Sequence, residues 1–193
     1  MHRLVTITTL CALATLATSC ASTPASRFYT LSATSGPAAT SAKLSVAVGP
    51  VSVPAVVDRP QIVVDIGPNQ VRLEEFHRWA APLQNNIARV VADNLVQMLG
   101  TPRVTLSAQS LSADADYRAA IEVQSFQSVP GEAAIVDAVW TVRRIKDGKT
   151  ELGRTTVRET LQEKGYDVLA AAHSRALARL SQDIAAAVRA LDR

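Results

Sequence analysis

The feature that most constrains this chain is one amphipathic run, Pro82 to Gly100, introduced by Phe76-His77-Arg78-Trp79-Ala80-Ala81. Leu83, Ile87, Val90, Val91, Leu95, Met98 and Leu99 recur at three-and-four spacing, so a helix gathers them on one stripe. Arg89, Asp93, Asn94 and Gln97 fall on the other side. Pro82 suits the first turn, where its missing N–H costs nothing, and Gly100-Thr101-Pro102 is a stop signal. A stripe this continuous has to lie against an apolar surface, which the rest of the chain is expected to supply as β-sheet.

Strand patterns are present on both sides of that run. Phe28-Tyr29-Thr30-Leu31 reads as a short first strand. Leu44, Val46 and Val48 alternate with small residues and end near Gly49-Pro50, with Val51-Ser52-Val53-Pro54 continuing past a bend. Ile62 to Ile66 is closed by Gly67-Pro68-Asn69, and Gln70 to Glu74 reads as its hairpin partner. Beyond the helix, Arg103 to Leu106 is a weak strand. Tyr117, Ala119, Ile121 and Val123 alternate with Arg118, Ala120, Glu122 and Gln124, as a strand with one wet face does. Val136, Ala138, Trp140 and Val142 repeat the pattern, and Lys146-Asp147-Gly148-Lys149 supplies an Asp-Gly turn into a strand over Glu151 to Leu161.

From Asp167 to Leu191 the period returns to helical, with Leu169, Ala176, Leu177, Leu180, Ile184, Val188 and Leu191 on the stripe. Asp167 sits at the positive end of the helix dipole, and Arg189 and Arg193 at the negative end. The expected fold is α+β: a two-layer α/β sandwich, a mainly antiparallel sheet with two long helices packed on one face.

The first nineteen residues read as a leader. His2 and Arg3 form a basic start, Leu4 to Ala17 is apolar or neutral and too short and threonine-rich to span a bilayer, and Ala17-Thr18-Ser19 places small residues before Cys20. This resembles a bacterial lipoprotein signal, in which the cysteine becomes the acylated first residue, although Ala17 stands where leucine is usual and Leu16 lies one step earlier. The alternative is an ordinary signal peptide with a chance cysteine. Residues 20–42 then read as a lipidated tether with a strand near 27–31, and 43–193 as the folded domain. With Cys11 discarded and Cys20 acylated, the mature chain has no free thiol, and stability comes from packing alone. Ala21 after the cysteine resembles outer-membrane sorting.

Composition narrows the function. The 193-residue chain has net charge +3, its basic residues are interspersed with acidic ones, and only 4% of residues are aromatic, so it lacks the footprint of a nucleic-acid binder. Only His77 and His173 remain in the mature chain. No nucleophile elbow, zinc-protease motif or phosphate loop accompanies them, and His173 and Ser174 project on different bearings of one helix. The expectation is a non-enzyme without metal or cofactor other than acyl chains on Cys20.

Val48-Gly49-Pro50-Val51-Ser52-Val53-Pro54, Asp58-Arg59-Pro60-Gln61-Ile62-Val63, Arg78-Trp79-Ala80-Ala81-Pro82-Leu83 and Asn94-Leu95 together resemble the ABC-type transport auxiliary lipoproteins of the PqiC (YmbA) kind. The resemblance implies an outer-membrane lipoprotein on the inner leaflet, facing the periplasm. It also implies an accessory role in an MCE-type ABC lipid transport system, docking a periplasm-spanning MCE-domain protein and supporting envelope integrity. Alternatives are a lipoprotein that assists assembly or plugging of an outer-membrane β-barrel and, further off, an anchored periplasmic hydrolase. The ring form of MCE assemblies leaves a homo-oligomer open, with Thr141, Arg143 and Arg158 on a candidate interface.

The candidate residues each have a plain structural reading beside the functional one. Trp79 and Pro82 are a plug and a helix start, or a partner contact, tryptophan being enriched in such contacts. Arg59 is local turn chemistry, or a bridge to a partner carboxylate. Arg143, Arg144, Lys146, Lys149, Arg154 and Arg158 surround one hairpin and are read as solvated, with anionic lipid headgroups as the alternative.

Overall fold

The computed structural model describes residues 24–34, 43–107 and 114–193. Among them lie eight strands and two helices: β1 Arg27–Tyr29, β2 Val46–Ser52, β3 Gln61–Gly67, β4 Gln70–Trp79, α1 Leu83–Leu99, β5 Val104–Leu106, β6 Tyr117–Val129, β7 Ala133–Arg144, β8 Thr150–Thr160 and α2 Tyr166–Asp192. The class is α+β, as the alternation and helical stripes predict. The strands divide into two mixed sheets, one of order β5-β2-β6-β7-β8 and one of order β1-β4-β3.

Consecutive alternation builds most of the larger sheet. β6, β7 and β8 pair antiparallel in sequence order, with Ile121 opposite Trp140 and Trp140 opposite Gly153. Their inward residues, among them Ala119, Val136, Ala138 and Val142, are wholly buried. The Trp140 indole occupies the space a side chain at Gly153 would fill, since a Cβ there would stand 2.2 Å from the ring. Trp140 Nε1 donates to Thr155 Oγ1 at 3.0 Å, and Thr155 donates in turn to Asp183 of α2 at 2.6 Å. β2 enters the sheet differently, pairing parallel with β5 on one side and β6 on the other, with a register shift between Val48 and Val51 where the chain bends.

Both helices lie on one face of this sheet, α1 over β2 and β5 and α2 over β7 and β8, packed side by side. Gly100 ends α1 in the left-handed conformation, φ 66°, which glycine adopts without the Cβ penalty, and its N–H donates to the Val96 carbonyl at 3.1 Å. The opposite face of the sheet carries Thr141, Arg143 and Arg158. Arg158 pairs there with Glu132.

The smaller sheet departs from the simple pattern. β4 does not stop at Glu74 but continues to Trp79, so Phe76–Trp79 is strand, not the approach to a helix. Its pairing with β3 jumps from Ile62–Glu74 to Gln61–Arg78, leaving Glu75, Phe76 and His77 as a bulge. β1 explains the continuation: Arg27, Phe28 and Tyr29 pair parallel with His77, Arg78 and Trp79. A second correction concerns Asn94, expected on the wet side of α1 but fully buried. α2 packs against that flank and gives the amide a partner within the core.

Candidate functional site

The residues singled out in the sequence meet at the junction between β4 and α1. Trp79 N–H donates to the Pro60 carbonyl at 2.7 Å, which fastens the Arg59-Pro60 loop to the end of β4. The Trp79 indole is 5% exposed and stands edge-on to Phe126 and His173, with ring centroids 6.1 and 6.4 Å away. This is a core plug in an aromatic cluster. Pro82 precedes α1, and its carbonyl accepts from the N–H groups of Asn85 and Asn86, both at 3.0 Å. Arg59 is half-buried, its N–H donates to the Val57 carbonyl at 2.9 Å, and its Nε is enclosed with no partner among the described residues. Cys20 lies outside the described residues.

A feature the sequence did not announce surrounds this junction. Residues 30–34 lie along the two helices, and helix side chains bond to their backbone. Arg89 donates to the Leu31 carbonyl at 2.6 Å, the Ser32 N–H donates to Ser174 Oγ at 3.1 Å, and the Thr34 N–H donates to Asn94 Oδ1 at 3.0 Å. Asn94 Nδ2 donates to Ser181 Oγ at 3.2 Å, so one buried amide joins this segment, α1 and α2. Thr30 and Asn86 are linked at 3.3 Å, and Asn86 Nδ2 donates to the Ala81 carbonyl at 3.2 Å. Leu31 is completely buried beneath. Asparagine at a helix position usually reads as solvent-facing. Only its recurrence at Asn86 and Asn94, two turns apart and beside the apolar stripe, hinted at a polar seam.

His173 forms the third part. It is fully buried, stacked on Phe126 with centroids 3.8 Å apart, and its Nε2 is 2.9 Å from Ser128 Oγ. Nδ1 has no partner. Burial holds the imidazole neutral, lowering its pKa to about 3. A serine beside a histidine resembles a nucleophile and base, yet neither is open to solvent and no carboxylate orients Nδ1. The pair ties α2 to β6, and the Ser128 N–H donates to Asp65 of β3 at 3.1 Å. Ser174 bonds elsewhere, donating to the Ala170 carbonyl at 2.8 Å.

At the surface, Tyr29 Oη and His77 Nδ1 lie 2.7 Å apart, and the His77 ring stacks on Tyr166 at 3.8 Å. β1, β4 and the start of α2 are thereby joined. The basic hairpin set separates into two kinds. Arg154 donates to Asp137 at 2.8 Å on the wet face. Arg144 instead is buried, donating to Asp147 and to the Leu191 carbonyl at the end of α2. That hydrogen bond holds the Asp147 carboxyl low, at about 2. Nearby, burial and the Asp192 carboxylate raise Tyr117 to about 12.

Among the described residues no group of three or more metal-ligating side chains is gathered, and no helix is long and apolar enough to cross a membrane.

Comparison with known proteins gives the junction its context. Among solved structures, an uncharacterised protein superposes with a TM-score of 0.69 at 19% identity, covering 86% of this chain and 99% of that one. A Xanthomonas campestris protein of the DUF330 family superposes with a TM-score of 0.65 at 19% identity, covering 82% of this chain and 92% of its own. At these identities the likeness establishes the fold. A search of curated protein sequences gives no match. The model of the ABC-type transport auxiliary lipoprotein component matches residues 29–185, from the strand that pairs with β4 to the last turns of α2. The chain therefore belongs to the family of ABC-type transport auxiliary lipoprotein components, and its role is that of a transport accessory.

Proposed function

We propose that this chain is the lipid-anchored accessory subunit of an MCE-type ABC lipid transport system, held by acylated Cys20 at the inner leaflet of the outer membrane. There it receives the distal end of a periplasm-spanning MCE-domain protein. The observation that carries the reading is the family match over residues 29–185, which takes in almost all of the folded body. Two features support it. Seven positions separate Cys20 from Arg27, and at about 3.5 Å per extended residue the body stays within about 25 Å of the acylated end. The chain then enters β1 and the seam of residues 30–34, whose bonds to Arg89, Asn94 and Ser174 fasten the anchor side to both helices. A body secured in this way stays close to the membrane, as a dock must. It acts without turnover of a substrate, His173 and Ser128 being used in packing.

The test is mild crosslinking in intact cells, affinity purification through a C-terminal tag and mass spectrometry, beside a Cys20→Ala control. An MCE-domain protein that co-purifies, and does so less when the anchor is lost, is the expected result. Recovery of only a β-barrel protein moves the role to barrel assembly.

A further inference from the structure

Exposed apolar side chains are not spread evenly over this protein. Of seven large hydrophobic residues exposed among those described, Phe28, Val56, Ile66, Val71 and Phe76 belong to the three-stranded sheet or to the loop entering it. The most open of these is Phe28, at 65%, on the strand nearest Cys20. Register explains why it points outward. Tyr29 and its partner Trp79 face the core, Tyr29 toward His77 and Tyr166 and Trp79 toward Phe126 and His173. Phe28, paired with Arg78, alternates away from Tyr29 and borders an open cleft beside Asp167, Ala171 and Arg175 of α2, and Phe76, in the bulge of the neighbouring strand, is 37% exposed. Arg27 is exposed beside Phe28, while Arg78 is engaged by Glu75 at 3.7 Å.

We propose that these exposed rings on adjacent strands, Phe28 and Phe76 with Arg27, form a membrane-contacting foot that rests in the interfacial layer of the bilayer carrying the anchor. The proposal rests on acylation of Cys20 as read above. Tether length selects the occupant. Seven residues reach at most about 25 Å, so whichever side of the body carries β1 is held near the lipid headgroups. Aromatic rings with a neighbouring cation are the side chains that favour that layer, the ring entering the acyl boundary and the cation remaining among anionic heads. The outer face of the five-stranded sheet, where Arg154 pairs with Asp137 and Arg158 with Glu132, has no comparable aromatic pair. The foot fixes tilt as well as distance, because a single tether leaves the body free to rotate, whereas tether and foot together define a plane.

Phe28 is largely solvent-exposed, so substituting it leaves the fold intact. With Cys20 acylated, an introduced cysteine is the mature chain's sole free thiol. The acylated full-length protein, carrying Phe28→Cys, Phe76→Cys or Leu152→Cys labelled with an environment-sensitive dye, is reconstituted into phosphatidylethanolamine–phosphatidylglycerol vesicles with acyl-brominated lipid. Leu152, 69% exposed on the far strand β8, is the reference. Strong quenching at positions 28 and 76 with little at 152 supports the foot. Equal quenching at all three positions, or none at 28, overturns it. A dye at 28 that stays open to aqueous iodide on vesicles, and is shielded only when an MCE-domain protein is added, overturns it in favour of a protein dock. The mass of the mature chain separates the two readings: an unmodified Cys20 overturns anchor and foot together, whereas an acylated Cys20 with an unquenched Phe28 overturns the foot alone. A Phe28→Ser, Phe76→Ser variant that loses lipid contact yet still co-purifies with its partner leaves the docking role standing.

Discussion

In the five-stranded sheet, β6, β7 and β8 follow one another in sequence and pair over nearly their whole length. In the three-stranded sheet, β1 reaches β4 from far along the chain, pairs over three residues, and meets a strand that bulges by three. One sheet is covered by two long helices. The other reaches the common core through Ile62, Val63 and Val64 of β3 and is joined to it further by Trp79 in the aromatic cluster, Asp65 on Ser128, and His77 against Tyr166. The first arrangement stores stability in continuous ladders and apolar area, which is hard to remove piecemeal. The second combines one short buried stretch in β3 with single contacts at β1 and β4, whose outer edge suits a region that has to meet something outside the molecule.

The largest effect should come from the helix-covered layer. Leu180 is wholly buried in α2, and Leu180→Ala should cost about 3 kcal/mol, the lost transfer energy plus a cavity, as a fall in the urea midpoint at unchanged slope. Phe28→Ala in the smaller sheet should lie within about 0.5 kcal/mol of the parent, because its ring is largely in water already. Equal losses at the two positions would erase the contrast.

Acid should act next, at the contact between the two regions. His173 has its pKa lowered from 6.5 to about 3 in the fold, so the unfolded chain takes up the proton first. Its stabilising contribution is complete above about pH 6.5 and declines as pH falls toward 3, by about 2 kcal/mol at pH 5. Denaturant titrations at pH 7, 6 and 5 should show this loss, and His173→Phe should flatten it. Asp147, held at about 2 by Arg144, adds a separate loss that begins only below its ordinary 3.8.

A smaller effect belongs to the seam. Asn94→Ala removes the acceptor of the half-buried Thr34 N–H and one of the bonds at Ser181, which keeps its own to the Leu177 carbonyl, so the loss should be about 1.5 kcal/mol. Limited proteolysis should then cut within residues 30–34 at protease levels that spare the parent. An unchanged pattern would mean that β1 alone retains the arm.

The contrast between the sheets also marks what the sequence could disclose. Both helices, and the hairpin from Ala133 to Thr160, follow from local periods and from Asp147-Gly148, because a one-sided environment imposes its period on consecutive residues. The division into two sheets and the parallel pairing of β2 were hidden, since pairing between distant segments leaves no local mark. Phe76–Trp79 read as the approach to a helix because the bulge breaks the alternation that would have shown a strand. At the site, Trp79 and Pro82 were visible by residue type and by position beside the helix. Asn94, Arg144 and His173 were not, because a polar residue reads as exposed until the neighbours that satisfy or enclose it are known. Arg144 in particular is enclosed because its bonds run both to Asp147 in the hairpin turn and to the Leu191 carbonyl at the end of α2.

The finest test of the contrast is a single hydroxyl. Tyr29 Oη on His77 Nδ1 is one of the few bonds that close β1 onto β4, and Tyr29→Phe removes it while keeping the ring against Tyr166. The net loss should be about 1 kcal/mol, the usual worth of a half-buried hydrogen bond. Global unfolding should register it as a small fall in the urea midpoint. Hydrogen exchange should show it at the Ala80 N–H, which donates to the Tyr29 carbonyl at 2.8 Å, as roughly a fivefold acceleration. Amides between β6 and β7 that exchange by local opening should keep their parent rates, since the larger sheet stays closed when β1 opens. Acceleration throughout β6 and β7 would mean that the two sheets unfold as one unit, and that the bulged sheet is as integral to the fold as the ladder beside it.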